Sequence, residues 1–194
     1  ATPEELIAYE FDGTIERGMP QAVVFPETTD EVAAVVRIAY RHDLPVIPRG
    51  AGTGLSGGSL PSSDCIVLCT VRMDKILELD KANLTMLVEP GVTTLAIADA
   101  ASAVGLFYPP DPGSMRISTI GGNVAENSGG VHCLKYGLTI HNILEVKIVT
   151  VEGTLLTLGG QGLDVPGYDL LALITGSEGL LGIIVEVTVR LLPL

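Results

Sequence analysis

The 194 residues carry 11 Lys and Arg against 23 Asp and Glu, a formal charge of −12, and 47% are hydrophobic although only 4% are aromatic and none is Trp. Such an acidic chain lacks the basic stripe of a nucleic-acid surface and the cationic patch that an anionic membrane attracts, so neither is an expected partner. No apolar run reaches spanning length and no signal-peptide layout opens the chain; three cysteines outside any metal-ligand spacing point to reduced thiols in a cytoplasmic protein without a metal site.

The length suits one domain whose core is built from Val, Ile, Leu and Ala. Residues 1–20 read as a short helix and a loop, and Ala22–Phe25 as a buried strand ended by Pro26. Thr28 with Glu31 three positions on makes a capping box. Val32, Val35, Val36 and Ala39 then continue at helical spacing to about Arg41. Leu44–Pro48 is a second apolar strand, so strand, helix and strand predict a βαβ unit with parallel strands. Ile66–Thr70, Ile76–Asp80 and Thr85–Glu89 are further strands, and Thr94–Val104 is a helix that Gly105 terminates. Residues 108–130 read as loop with a short helix near Val124–Ser128. Ile143–Val151 and Leu155–Leu158 flank Glu152-Gly153 as a hairpin, and Asp169–Thr175 makes one or two helical turns. Alternation from Ile183 to Leu191 predicts a strand with one wet edge or face. The expected class is α+β, parallel at its start and antiparallel at its finish.

Pro48-Arg49-Gly50-Ala51-Gly52-Thr53-Gly54-Leu55-Ser56-Gly57-Gly58 follows the second strand directly. Its glycines let consecutive amides turn inward as a nest for a pyrophosphate, with Thr53 and Ser56 as hydroxyl donors and Gly54 expected at positive φ. Gly52-x-Gly54-x-x-Gly57 matches the dinucleotide fingerprint in form, yet Gly58-Ser59-Leu60-Pro61 cannot open the helix that the fingerprint needs. No Lys follows, so it is not a Walker loop. Taken alone, its lesser reading is a surface loop without a ligand.

Three further segments point the same way. Pro109–Ser114 is a stiff turn. Ser118–Gly130 combines bare backbone with amides and hydroxyls suited to the edges of a polar heterocycle. Gly176–Ile184 is a second glycine-rich turn whose apolar run can sandwich an adenine or cover a ribose. Singly each reads equally as ordinary turn chemistry or as a cofactor contact; together they outline a long, split cofactor site. Arg49 either touches phosphate or caps a strand end, His42 sits at a helix end, and His132 and His141 serve either a ring system or the structure. Cys133 reads as a packed thiol. Glu126 and Glu178 suit hydrogen bonding to ribose or backbone better than acid–base work.

On these residues the chain resembles the FAD-binding domain of vanillyl-alcohol-oxidase (PCMH) type flavoproteins. It is most similar to the FAD-linked D-2-hydroxyacid dehydrogenases, a group that includes the FAD-linked large subunit of bacterial glycolate oxidase. Pro48–Gly58, Pro110–Ser114, Ile120–Gly130, Gly129–Gly137 and Gly176–Gly182 carry the likeness. The resemblance implies two lobes, roughly 1–90 and 91–194, with extended FAD between them. Pro48, Arg49, Gly50, Ala51, Gly52, Thr53, Gly54, Leu55, Ser56, Gly57 and Ser59 would hold the pyrophosphate, with Pro90 lining the same channel. Pro110, Asp111, Ser114, Gly121, Gly122, Asn123, Asn127, Gly129 and Gly130 would follow the phosphates, ribityl chain and flavin, and Glu178, Gly182, Ile183 and Ile184 the adenosine half. Residues 49–59 contain no His or Cys, so binding is expected to be non-covalent.

The implied function is oxidation of a small 2-hydroxy acid, of the glycolate or D-lactate class, by hydride transfer to FAD. Family members carry a substrate domain and a C-terminal segment that these residues do not supply, so no catalytic residue is assigned. Other oxidase subunits, an iron–sulfur electron acceptor among them, are the implied partners, with attachment peripheral to the inner membrane through such a complex and no membrane insertion. The alternatives are a non-catalytic flavin-binding module of an electron-transfer complex and an enolpyruvyl reductase on a related fold.

Overall fold

The computed structural model describes residues 3–162 and 167–194. A short helix α1 (Pro3–Leu6) and a 3-10 turn lead through a loop to β1 (Ala22–Val24). Helix α2 (Thr29–Arg41) begins as its sequence dictates. The Thr28 hydroxyl accepts the Glu31 N–H, and the Glu31 carboxylate accepts the N–H of Glu27. β2 (Val46–Arg49) and β3 (Ile66–Cys69) complete a three-stranded parallel sheet of order β1-β3-β2. The strands of the βαβ unit are therefore parallel but not neighbours, because β3 inserts between them and pairs with both.

The second sheet has five strands in the order β4-β5-β9-β7-β8, all antiparallel. They are β4 (Ile76–Asp80), β5 (Thr85–Val88), β7 (Ile143–Val149), β8 (Leu155–Gly159) and β9 (Ile183–Arg190), and a small pair joins β6 (Leu106–Phe107) to β10 (Leu192–Pro193). The changeover between sheets falls between β3 and β4, earlier in the chain than residue 90. Helices α3 (Thr94–Ser102), α4 (Ile120–Glu126), α5 (Cys133–Tyr136) and α6 (Leu170–Ile174) lie along the connections. Gly105 follows α3 at φ +78°, as its terminator should.

Two expectations fail for tertiary reasons. β9 has no wet face: as the central strand it is buried on both sides, with Val185, Val187 and Val189 fully covered and Thr188 nearly so. A register shift opposite Lys147 and Ile148 breaks its alternation, so Val185 joins one core cluster and Val187 and Val189 the other. Helix α4 begins at Ile120, four residues before the expected start. The N–H groups of Ile120 and Gly121 donate to the Val92 and Pro90 carbonyls, so neighbouring backbone satisfies donors that the helix cannot. Ile120 and Val124, four apart, are both fully buried, and that packing outweighs the poor helix propensity of Gly121 and Gly122.

The larger core gathers around α3, α4 and the five-stranded sheet; the smaller one sits between α2, β3 and the start of β9. The smaller core fixes the end of β2 beside the turn that feeds β9, and this places the glycine-rich loops face to face. Ile97 on α3 is fully buried in the larger core, whereas Ile38 on α2 is 48% exposed. Ile97→Ala should therefore cost about 2–5 kcal/mol of stability in a chemical-denaturation midpoint experiment. Ile38→Ala should stay within about 0.5 kcal/mol.

Candidate functional site

A cleft of about 620 Å³ opens where three segments converge: the loop after β2, the α4 helix with the turns on either side of it, and the turn before β9. From the first come Pro48, Arg49, Gly50, Ala51, Gly52, Thr53, Gly54, Leu55, Ser56 and Ser59. From the second come Ser114, Gly121, Gly122, Asn123, Gly129 and Gly130, and from the third Glu178, Gly182, Ile183 and Ile184. Of the sequence-stated residues, Gly57, Pro90, Pro110, Asp111 and Asn127 do not line the cleft. Gly58, Thr70, Pro112, Gly113, Ser118, Thr119, Ala125, Glu126, Ser128 and Gly179 line it in addition. All of these except Thr70 lie inside motifs the sequence marks out. Thr70 is visible only once β3 is paired with β2, where its hydroxyl meets the Arg49 carbonyl.

Among the described residues, no backbone N–H from Ala51 to Ser59 has a protein acceptor. The carbonyls of the loop do find partners: Gly54 accepts from Gly13 N–H and Gly57 from Leu60 N–H. Positive φ falls on Gly52 (+70°) and Gly57 (+86°), and not on Gly54, where it was expected. Gly54 instead makes room for Glu126, whose Oε1 lies 3.3 Å from the place a Cβ would take. Across the loop, Thr119 Oγ1 is buried without a partner and sits 2.2 Å from where a Cβ of residue 50 would stand.

The residues off the cleft support it. Gly121 packs on Pro90, and a Cβ at Gly130 would strike the Asp111 carbonyl at 1.9 Å, so the 109–114 turn is pinned to the 128–130 turn. Asn127 takes the left-handed conformation at the end of α4, and its Oδ1 accepts the Ile140 N–H. Asn123 is 3% exposed, and its amide nitrogen donates to Thr94 Oγ1 at 2.6 Å, which ties α4 to the start of α3. This side chain is thus committed within the protein as well as lining the cleft.

Among the described residues the cleft holds one cation, Arg49, and two carboxylates, Glu126 and Glu178, with Ser56 Oγ donating to Glu126 Oε2. No Cys, His or Tyr lines it among the described residues. Cys69, at the end of β3 below the loop, has its thiol pushed up by burial, against the Val71 backbone and the Arg49 charge that pull it down. His132 places Nδ1 3.0 Å from the Pro109 carbonyl between Phe107 and Tyr136, while His141 Nδ1 accepts the Leu138 N–H. Neither histidine lines the cleft. Cys133 Sγ accepts the Gly130 N–H, and no group of His, Cys, Asp and Glu suited to a metal occurs among the described residues.

The FAD binding domain family matches residues 20–159. The glycolate oxidase subunit GlcD of Escherichia coli (strain K12) is 51% identical over 193 residues, which is 99% of this chain and 39% of that protein. The D-lactate dehydrogenase of Archaeoglobus fulgidus is 41% identical over 192 residues, covering 96% of this chain and 43% of its own length. A solved alkyldihydroxyacetonephosphate synthase superposes with a TM-score of 0.87 at 26% identity, over 97% of this chain and 36% of that one. The chain spans about two fifths of the length of these curated relatives. A cleft walled by a donor-rich glycine loop, together with these matches, makes the chain a member of the FAD binding domain family.

Proposed function

We propose that this chain is the cofactor-holding part of a flavoprotein that oxidises a small 2-hydroxy acid of the glycolate or D-lactate class. The observation that carries the cofactor placement is the run of acceptor-free N–H groups from Ala51 to Ser59 at the wall of the cleft. Such a run suits a diphosphate, because main-chain donors can hold an anion without basic side chains. The orphaned Thr119 hydroxyl adds a donor beside it. The cleft also falls in the ordinary size range of a small-molecule site.

FAD supplies the hydride acceptor when bound. The chain's own residues bind and orient it: the 51–59 amides and Arg49 at the diphosphate, Gly122, Asn123, Gly129 and Gly130 along the ribityl chain and ring, and Glu178, Ile183 and Ile184 at the adenosine. The substrate class rests on the names of the relatives, a glycolate oxidase subunit and a D-lactate dehydrogenase. Further oxidase subunits, including an iron–sulfur acceptor, belong to the same proposal. It is supported by the relative being named a subunit. No described helix is long and apolar enough to cross a membrane.

Two outcomes follow. With no Cys, His or Tyr in the described cleft wall, acid precipitation should release all bound flavin into the supernatant; yellow colour kept by the pellet contradicts non-covalent binding. Mixed anaerobically with glycolate or D-lactate, the FAD-loaded chain alone should keep its flavin absorbance. The same chain joined to the remaining residues of the Escherichia coli subunit should be bleached by one of these acids. A chimera that folds and holds FAD yet is bleached by neither would refute the substrate class.

A further inference from the structure

The segment Tyr9–Gly18 precedes the residues that the family match covers, yet it lies against the glycine-rich loop. Gly13 N–H donates to the Gly54 carbonyl at 2.9 Å, and the Phe11 carbonyl accepts from Arg49 Nη1 at 2.8 Å. The Arg49 guanidinium also stacks near the Tyr9 ring, 5.7 Å from its centre. Its other nitrogen, Nη2, lies directly under Gly52, 2.1 Å from where a Cβ would stand. Arg49 is only 7% exposed and has no carboxylate within ion-pair distance among the described residues. The segment closes on itself through Gly18 N–H to the Glu10 carbonyl and a turn in which Asp12 Oδ1 accepts the Thr14 N–H.

We propose that Tyr9–Gly18 is a strap that holds the loop in its anion-binding shape, with Arg49 as the joint between them. This rests on the FAD reading of the cleft and extends the site to a segment outside it. The physical reason lies in how the loop is secured. Its N–H groups have no protein acceptors, so no ladder of backbone bonds fixes them, and loop order must come from the carbonyl side and from beneath. The strap supplies both: it donates to the Gly54 carbonyl, and it fixes the guanidinium on which Gly52 rests at φ +70°. A loop fixed before the diphosphate arrives spares the ordering cost at binding. Gly13 and Arg49 are thus positioning residues, and Arg49 also lines the cleft.

The test compares FAD affinity by titration in the parent chain, Gly13→Ala, Arg49→Lys and the double variant, with melting curves taken without FAD. A Cβ at residue 13 would meet the Gly54 carbonyl oxygen at 2.5 Å, so the loop must move. Lys keeps the charge but loses the planar fork that joins Phe11, Tyr9 and Gly52. Each single variant should lose roughly tenfold or more in affinity while still melting cooperatively. The double variant should lose no more than the worse single one, because both break the same coupling. Arg49→Lys also carries the test should Gly13→Ala fail to fold. A cooperatively melting single variant with affinity within about threefold of the parent, or losses that multiply in the double variant, would overturn the strap. A parent chain that binds no FAD would overturn the cofactor reading, and the strap with it.

Discussion

Successive peptide N–H groups from Ala51 to Ser59 have no protein acceptor among the described residues, and the rest of the fold is arranged around that fact. Main-chain donors left without an acceptor are stable only beside water or a ligand. The β2 strand delivers the loop to the edge of the smaller core. The turn before β9 meets it there, with Gly179 seated on Pro48, and α4 closes the third side. The sheets contribute little chemistry of their own. They hold three mobile-looking sequences at fixed separation.

This arrangement reconciles a strongly acidic chain with an anionic cofactor. Among the described residues Arg49 is the one cation in the cleft wall, which also carries Glu126 and Glu178. Charge alone would not favour a diphosphate there. Oriented amides carry partial positive charge without titrating and reach short range where long-range repulsion is screened by salt. Glu126 is held by Ser56 at the loop and Glu178 sits beside Gly58, so both carboxylates are placed to accept hydrogen bonds from hydroxyl groups.

The elements set by local chemistry were legible in the sequence: the Thr28 capping box, Gly105 after α3, the β7–β8 hairpin and the short helix at Asp169–Thr175. What the sequence hid depends on distant partners. β9 looks half-polar, yet Thr188 and Glu186 are covered or paired because the strand is central and irregular in register, with Glu186 bonded to Lys147. Ile120–Asn123 looks like loop because its helix is capped by Pro90 and Val92 from another segment. The motifs cover nearly every stretch of chain that lines the cleft, and the fold sorts their residues into wall and support. Asp111 and Pro90 support the wall from behind, and the positive-φ glycines of the loop are Gly52 and Gly57. The share of Tyr9–Gly18 in the site had no motif to announce it.

The central claim is that backbone amides, rather than charge, hold the cofactor's diphosphate. It is tested most directly by titrating FAD into the parent chain and into Gly57→Val at low and high salt. A Cβ at residue 57 meets nothing within 4 Å, so the substitution acts only on a backbone angle of +86° that a β-branched residue strains to adopt. The account predicts that parent affinity changes less than about threefold between roughly 0.05 and 0.5 M salt, and that Gly57→Val weakens it about tenfold or more at both. A parent affinity that collapses with salt, with Gly57→Val binding as the parent does, would contradict it.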